Sequence, residues 1–114
     1  TDERLREVCL GALEGQSPAD SKKDPALIEA RTNFFEHPEL YVPQGNGESF
    51  EELHERCKSF LADIKKRYDD KSVILVSGHG ALCKGIVRAA KNLPVEDFWK
   101  SGLQDNCGLV ELEI

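Results

Sequence analysis

The run Val73-Ile74-Leu75-Val76-Ser77-Gly78-His79-Gly80-Ala81-Leu82 constrains the fold of this chain more than any other stretch. Its first four residues are apolar, mostly β-branched and free of polar alternation, which predicts a strand buried on both faces. A Gly-His-Gly turn ends the run, and Ala81, Leu82, Ile86 and Val87 then recur at helical spacing. Strand, glycine turn and helix is the arrangement by which an α/β sheet offers backbone N–H groups to an anion at the carboxyl end of a strand. His79 stands in that turn, where its imidazole can share the anion's oxygens. A turn histidine without a ligand is the plainer alternative; position and flanking glycines together favour the site.

A strand buried on both faces needs neighbours on both edges and helices over both faces. The sequence offers one other strand, over 107–114, where Val110, Leu112 and Ile114 alternate with Glu111 and Glu113. Part of the sheet is therefore expected to be missing from these 114 residues. The chain opens on Thr1 and contains no methionine, so a processed or partial chain is expected.

The firmest helix lies downstream of Gly45-Asn46-Gly47-Glu48-Ser49. Ser49 and Glu52 form a capping box, and Phe50, Leu53, Cys57, Phe60, Leu61, Ile64 and Tyr68 follow as an apolar stripe. The pattern predicts a helix over about 49–68, with His54 packed at the stripe's boundary. Glu48 falls just outside the helix N-terminus. On spacing alone a carboxylate favoured by the helix dipole accounts for it; a general acid/base hanging into a site is the alternative. Residues 1–15 read as an extended segment with a turn. In 16–32, Ser17-Pro18 suits a helix start and Pro25 a break. Residues 33–46 suit an ordered loop or cap beside a site, with His37 solvated. After the central helix to about Lys91, Pro94–Lys100 suggests a short helix carrying Phe98 and Trp99.

Bulk properties narrow the functions. A net charge of −6 argues against a general nucleic-acid binder, while a local cluster of donors can still hold a small anion. Cys9, Cys57, Cys83 and Cys107 lack paired spacing, as do the three histidines, so neither a metal site nor a disulfide framework is expected. Reduced thiols in a cytoplasmic protein are the expectation. No run approaches a membrane span and no signal peptide opens the chain. Gly80 to Gly85 is no P-loop, because Ile86 stands where Lys-Ser/Thr is required. Ser77-Gly78-His79-Gly80 is no nucleophile elbow, because its central residue is His.

Arg4-Leu-Arg-Glu7 with Gly11-Ala-Leu-Glu-Gly15, then Gly47-Glu48-Ser49-Phe50, then Val-Ile-Leu-Val-Ser77-Gly-His79-Gly80, in this order and spacing, resemble the histidine phosphatase superfamily (phosphoglycerate mutase-like). The resemblance covers nearly all 114 residues, as a partial, C-terminal portion of one such domain. It implies a three-layer α/β/α fold with a mostly parallel central sheet, whose N-terminal strands lie outside this chain. It implies phosphoryl transfer through a phosphohistidine, with no metal or organic cofactor. His79 is similar to the family's second active-site histidine, which steadies the transferring group. Glu48 corresponds to the acid that protonates the leaving oxygen, and the Gly80 and Ala81 N–H groups would add oxyanion contacts. The family's Arg-His-Gly motif, with the nucleophilic histidine, and the later arginine of the phosphate pocket are absent; the nucleophile is expected upstream. Gly78 stands where the family usually has Ser or Thr.

Two positions favour a phosphatase over a mutase. Glu7-Val-Cys-Leu-Gly11 stands where mutases usually carry Glu-Arg-His-Tyr-Gly, and Ala81 where they usually carry Asn. The expected function is hydrolysis of small phosphorylated metabolites. A phosphoglycerate mutase is the runner-up, and an inactive phosphate-binding or interaction domain the third reading. The expected partner is a small phosphorylated substrate, without nucleic acid or membrane; a homodimer is compatible with the sequence.

Overall fold

The computed structural model describes residues 1–17, 19, 24–100 and 107–114. Among the described residues, the architecture is carried by the helices α1 (Pro25–Glu36), α2 (Phe50–Arg67) and α3 (Gly80–Lys91). Single 3-10 turns at Glu3–Leu5, Gly11–Leu13, Pro38–Leu40 and Val95–Asp97 link and flank them.

Helix α2 follows its sequence closely. The Ser49 Oγ accepts from the Glu52 N–H at 3.1 Å, and the Glu52 carboxylate accepts from the Ser49 N–H at 2.8 Å, closing the capping box. Glu51 and Glu52 lie in the first turn and Lys65, Lys66 and Arg67 in the last, each sign matched to the helix dipole. Phe50, Leu53, His54, Cys57 and Phe60 are buried.

The stripe of α2 packs against α3. Leu53 and Leu82 are fully buried, and Gly85 lets the two helices approach: a Cβ at that position would lie 3.0 Å from Leu53 Cγ and 3.2 Å from Cys57 Sγ. Arg88 of α3 reaches across to the start of α2. Its guanidinium donates to the Phe50 carbonyl at 3.2 Å, the Glu51 carboxylate at 2.9 Å and the Leu93 carbonyl at 3.1 Å, so the buried charge is paired. Asn92, with φ of 52°, ends the helix in the left-handed region.

Helix α1 begins at Pro25, which starts the helix instead of breaking it. Asp24 accepts from the Ala26 N–H at 3.0 Å, and proline at the first helical position forfeits no hydrogen bond. Its last turn takes in Asn33–Glu36, the first part of the expected loop. The suggested start at Ser17-Pro18 lies partly outside the described residues, at Pro18. From α1, Phe34 stacks on Phe50 at 5.1 Å and meets Tyr41 edge-on at 5.1 Å. The Trp99 indole donates to the Phe34 carbonyl at 2.6 Å, and Phe98 lies 4.6 Å from Phe50. The expected loop thus begins as the last turn of α1, and its Phe34 and Tyr41 are buried in the aromatic cluster. His37 is exposed, as expected of a solvated residue.

The expected strands do not form. Residues 72–79 and 108–114 carry no regular secondary structure, and no strand occurs among the described residues. Val73 is 98% exposed, Leu75 83% and Leu109 81%. A ladder pairs each backbone N–H and C=O with an adjacent chain, and no described segment makes such bonds to 73–76. The three-layer α/β/α arrangement with a parallel sheet is therefore not assembled in this structure. Residues 1–15 are likewise more curled than expected, with two 3-10 turns in place of an extended run.

Candidate active site

The first turn of α3 has no local anion. His79 is its N-cap without a side-chain cap bond, and the turn carries no acidic residue. Its orphan N–H groups and positive dipole end require an acceptor from elsewhere. Glu7 supplies it. Its Oε1 accepts from the Leu82 N–H at 2.8 Å and its Oε2 from the Ala81 N–H at 3.1 Å. Oε1 also accepts from the Val8 N–H at 2.8 Å.

The helix terminus expected to cradle an oxyanion therefore holds a carboxylate of the chain itself. The Ala81 N–H is engaged by Glu7. The Gly80 N–H has no acceptor among the described residues, and the His79 side chain is exposed beside it. Glu7 and His79 thus share one helix end.

Glu48 is placed differently. Its carboxylate is buried and takes both oxygens to Arg56: Nε to Oε1 at 2.6 Å and Nη2 to Oε2 at 2.9 Å. Its backbone N–H donates to the Cys9 carbonyl at 2.7 Å. It lines a shallow depression with Arg4, Arg6, Cys9, Asn46 and Arg56, and His79 is not part of that lining. Glu48 is more than a helix-end charge, and its polar contacts run to Arg56 and the N-terminal segment, not to α3.

That segment is held firmly to α2. The Arg4 guanidinium bridges Asp2 at 2.7 Å and Asp63 at 2.9 Å, which holds the Asp2 carboxyl down at about 2. Arg56 Nη1 donates to the Arg4 and Arg6 carbonyls at 2.6 and 2.8 Å. The thiols offer no competing nucleophile in the core, since burial pushes Cys57 up to about 11 and raises Cys83 as well.

Sequence reasoning missed the place of Glu7. Nothing around it predicts a contact with a helix far along the chain. The available signal was on α3: a helix whose cap is His and whose first turn reads Gly-Ala-Leu-Cys leaves its N–H groups unprovided for.

The family model described as histidine phosphatase superfamily (branch 1) matches residues 1–114. A curated relative, putative phosphoserine phosphatase 2 of Hydrogenobacter thermophilus, is 32% identical over 116 aligned positions, covering 99% of this chain and 53% of that protein. Among solved structures, Bacillus stearothermophilus YhfR superimposes with a TM-score of 0.74 at 31% identity, over 87% of this chain and 47% of that one. A mycobacterial glucosyl-3-phosphoglycerate phosphatase, solved with inorganic phosphate, gives 0.73 at 30%, over 92% and 52%. The chain spans about half the length of these relatives. With the match running from end to end and the neighbours being histidine phosphatase-fold α/β proteins, this chain belongs to the histidine phosphatase superfamily, branch 1.

Proposed function

We propose that this chain supplies the proton donor and part of the phosphate-holding surface of a phosphatase acting on small phosphate monoesters through a phosphohistidine. The observation that carries the reading is the Glu7 carboxylate held at the helix terminus that His79 caps. The nucleophilic histidine belongs to the upstream Arg-His-Gly segment that the family resemblance implies.

In the first step the upstream imidazole nitrogen attacks phosphorus and the ester P–O bond breaks. The leaving alkoxide takes a proton from Glu7. In the second step the Glu7 carboxylate takes a proton from water, whose oxygen attacks the phosphohistidine, releasing phosphate and the free imidazole. His79 and the Gly80 N–H stabilise the equatorial oxygens. Glu48, the residue expected to be the acid, has both carboxylate oxygens taken up by the Arg56 guanidinium; the geometry suits it to a structural role.

The names of two relatives support the substrate class. Phosphoserine and glucosyl-3-phosphoglycerate are both phosphate esters of aliphatic alcohols, whose alkoxides leave poorly without a proton. The test is turnover by the full-length protein on a panel of such esters, with rapid acid-free quenching of the labelled enzyme. Phosphate release with an acid-labile, alkali-stable phosphoryl group on histidine is expected. Release without it, or no release across the panel, contradicts the reading.

A further inference from the structure

Glu7 lies in an irregular segment, yet its carboxylate meets the first turn of α3 with hydrogen bonds of 2.8 and 3.1 Å. Something must fix that segment. The chain immediately before Glu7 is gripped by Arg56 of α2, whose Nη1 donates to the Arg4 and Arg6 carbonyls at 2.6 and 2.8 Å. The chain just after it is gripped by Glu48, whose backbone N–H donates to the Cys9 carbonyl at 2.7 Å. The two grips are joined, because the Arg56 Nε and Nη2 meet both Glu48 oxygens at 2.6 and 2.9 Å. Both side chains are nearly buried, at 11% and 8% exposed.

We propose that Arg56, locked by Glu48, is a positioning residue that sets the Glu7 carboxylate against the leaving oxygen. The proposal rests on Glu7 being the proton donor. The guanidinium fork suits the task because its planar donors serve a carboxylate and two carbonyls at once, which an ammonium cannot do in the same geometry. Arg56 touches no reacting atom. It acts by holding residues 4–6, and a displacement of about 1 Å at a reacting group can cost about 10²-fold in rate.

The experiment uses the full-length protein and compares an alkyl phosphate with p-nitrophenyl phosphate, whose phenolate leaves without a proton. For Arg56→Lys, kcat/KM, which is set by the steps up to phosphoryl transfer and so leaves out the water step common to both esters, is expected to fall about 10- to 100-fold on the alkyl ester and by less than about 3-fold on the aryl ester. Glu48→Gln, which keeps the backbone bond to Cys9, is expected to give a smaller loss of the same selectivity and reads the proposal if Arg56→Lys fails to fold. Equal losses on the two esters, or no loss, in a folded Arg56 or Glu48 variant overturn the proposal when Glu7→Gln still shows the selective loss. A Glu7→Gln variant without selective loss overturns the proton-donor reading, and the proposal with it.

Discussion

Glu7 and Leu82 meet across 75 positions of the chain: the Glu7 Oε1 accepts the Leu82 N–H at 2.8 Å, with Oε2 on the neighbouring Ala81 N–H at 3.1 Å. This pair anchors an irregular N-terminal segment to the first turn of α3. It also puts a carboxylate at the end of the helix capped by His79. The catalytic proposal follows from that contact.

His79→Ala in the full-length protein is expected to lower turnover by about 10²–10³ on alkyl and aryl esters alike. Its side chain is exposed, so the melting temperature should hold. Near-native turnover would remove His79 from the site.

Gly85→Ala tests the α2–α3 contact. The added methyl meets Leu53 Cγ at 3.0 Å and Cys57 Sγ at 3.2 Å, and Leu53 is fully buried. Despite alanine's better helix propensity, a loss of about 1–3 kcal/mol is expected from overpacking, read by urea denaturation. A stabilised variant contradicts the close approach.

His54 gives the fold a pH dependence. Burial, then the nearby Arg88 charge, lowers its pKa below the ordinary 6.5, and its Nδ1 is buried without a partner. Glu51 and Glu55 oppose that shift and Lys58 adds to it. The unfolded chain binds the proton first as pH falls, so the stability from neutral His54 is complete above about 6.5 and lost below it, toward the folded-state value. The midpoint of urea unfolding should therefore drop, as pH falls below about 6.5, more in the parent than in His54→Leu. Parallel curves would exclude His54 as the source.

The 114 residues expressed alone should self-associate with rising concentration, because Val73, Leu75 and Leu109 are 98%, 83% and 81% exposed. Val73→Ser with Leu75→Ser should weaken that association in sedimentation velocity. A parent chain that stays monomeric throughout contradicts the expectation.

Much of this was legible where the cause is local. The capping box and stripe of α2 lie within one helical period, so Ser49, Glu52 and the buried Phe50, Leu53 and Cys57 were readable directly. Pro25 misled because proline breaks a helix interior but opens a helix at its first position. The run 73–76 has strand chemistry, but a ladder is a relation between segments, and no described segment pairs with it. The site was half legible. His79 is marked by its turn, whereas Glu7 is marked only by what α3 lacks, and Glu48 by a partner, Arg56, two helical turns away.

The most direct test is kcat/KM of Glu7→Gln, against the parent full-length protein, on phosphate esters of rising leaving-group pKa. A proton donor typically contributes about 10²–10⁴ in rate. The alkyl esters should lose that much, p-nitrophenyl phosphate should stay close to the parent, and the dependence on leaving-group pKa should steepen. An equal loss along the series, or no loss, would contradict the assignment of Glu7 as the acid.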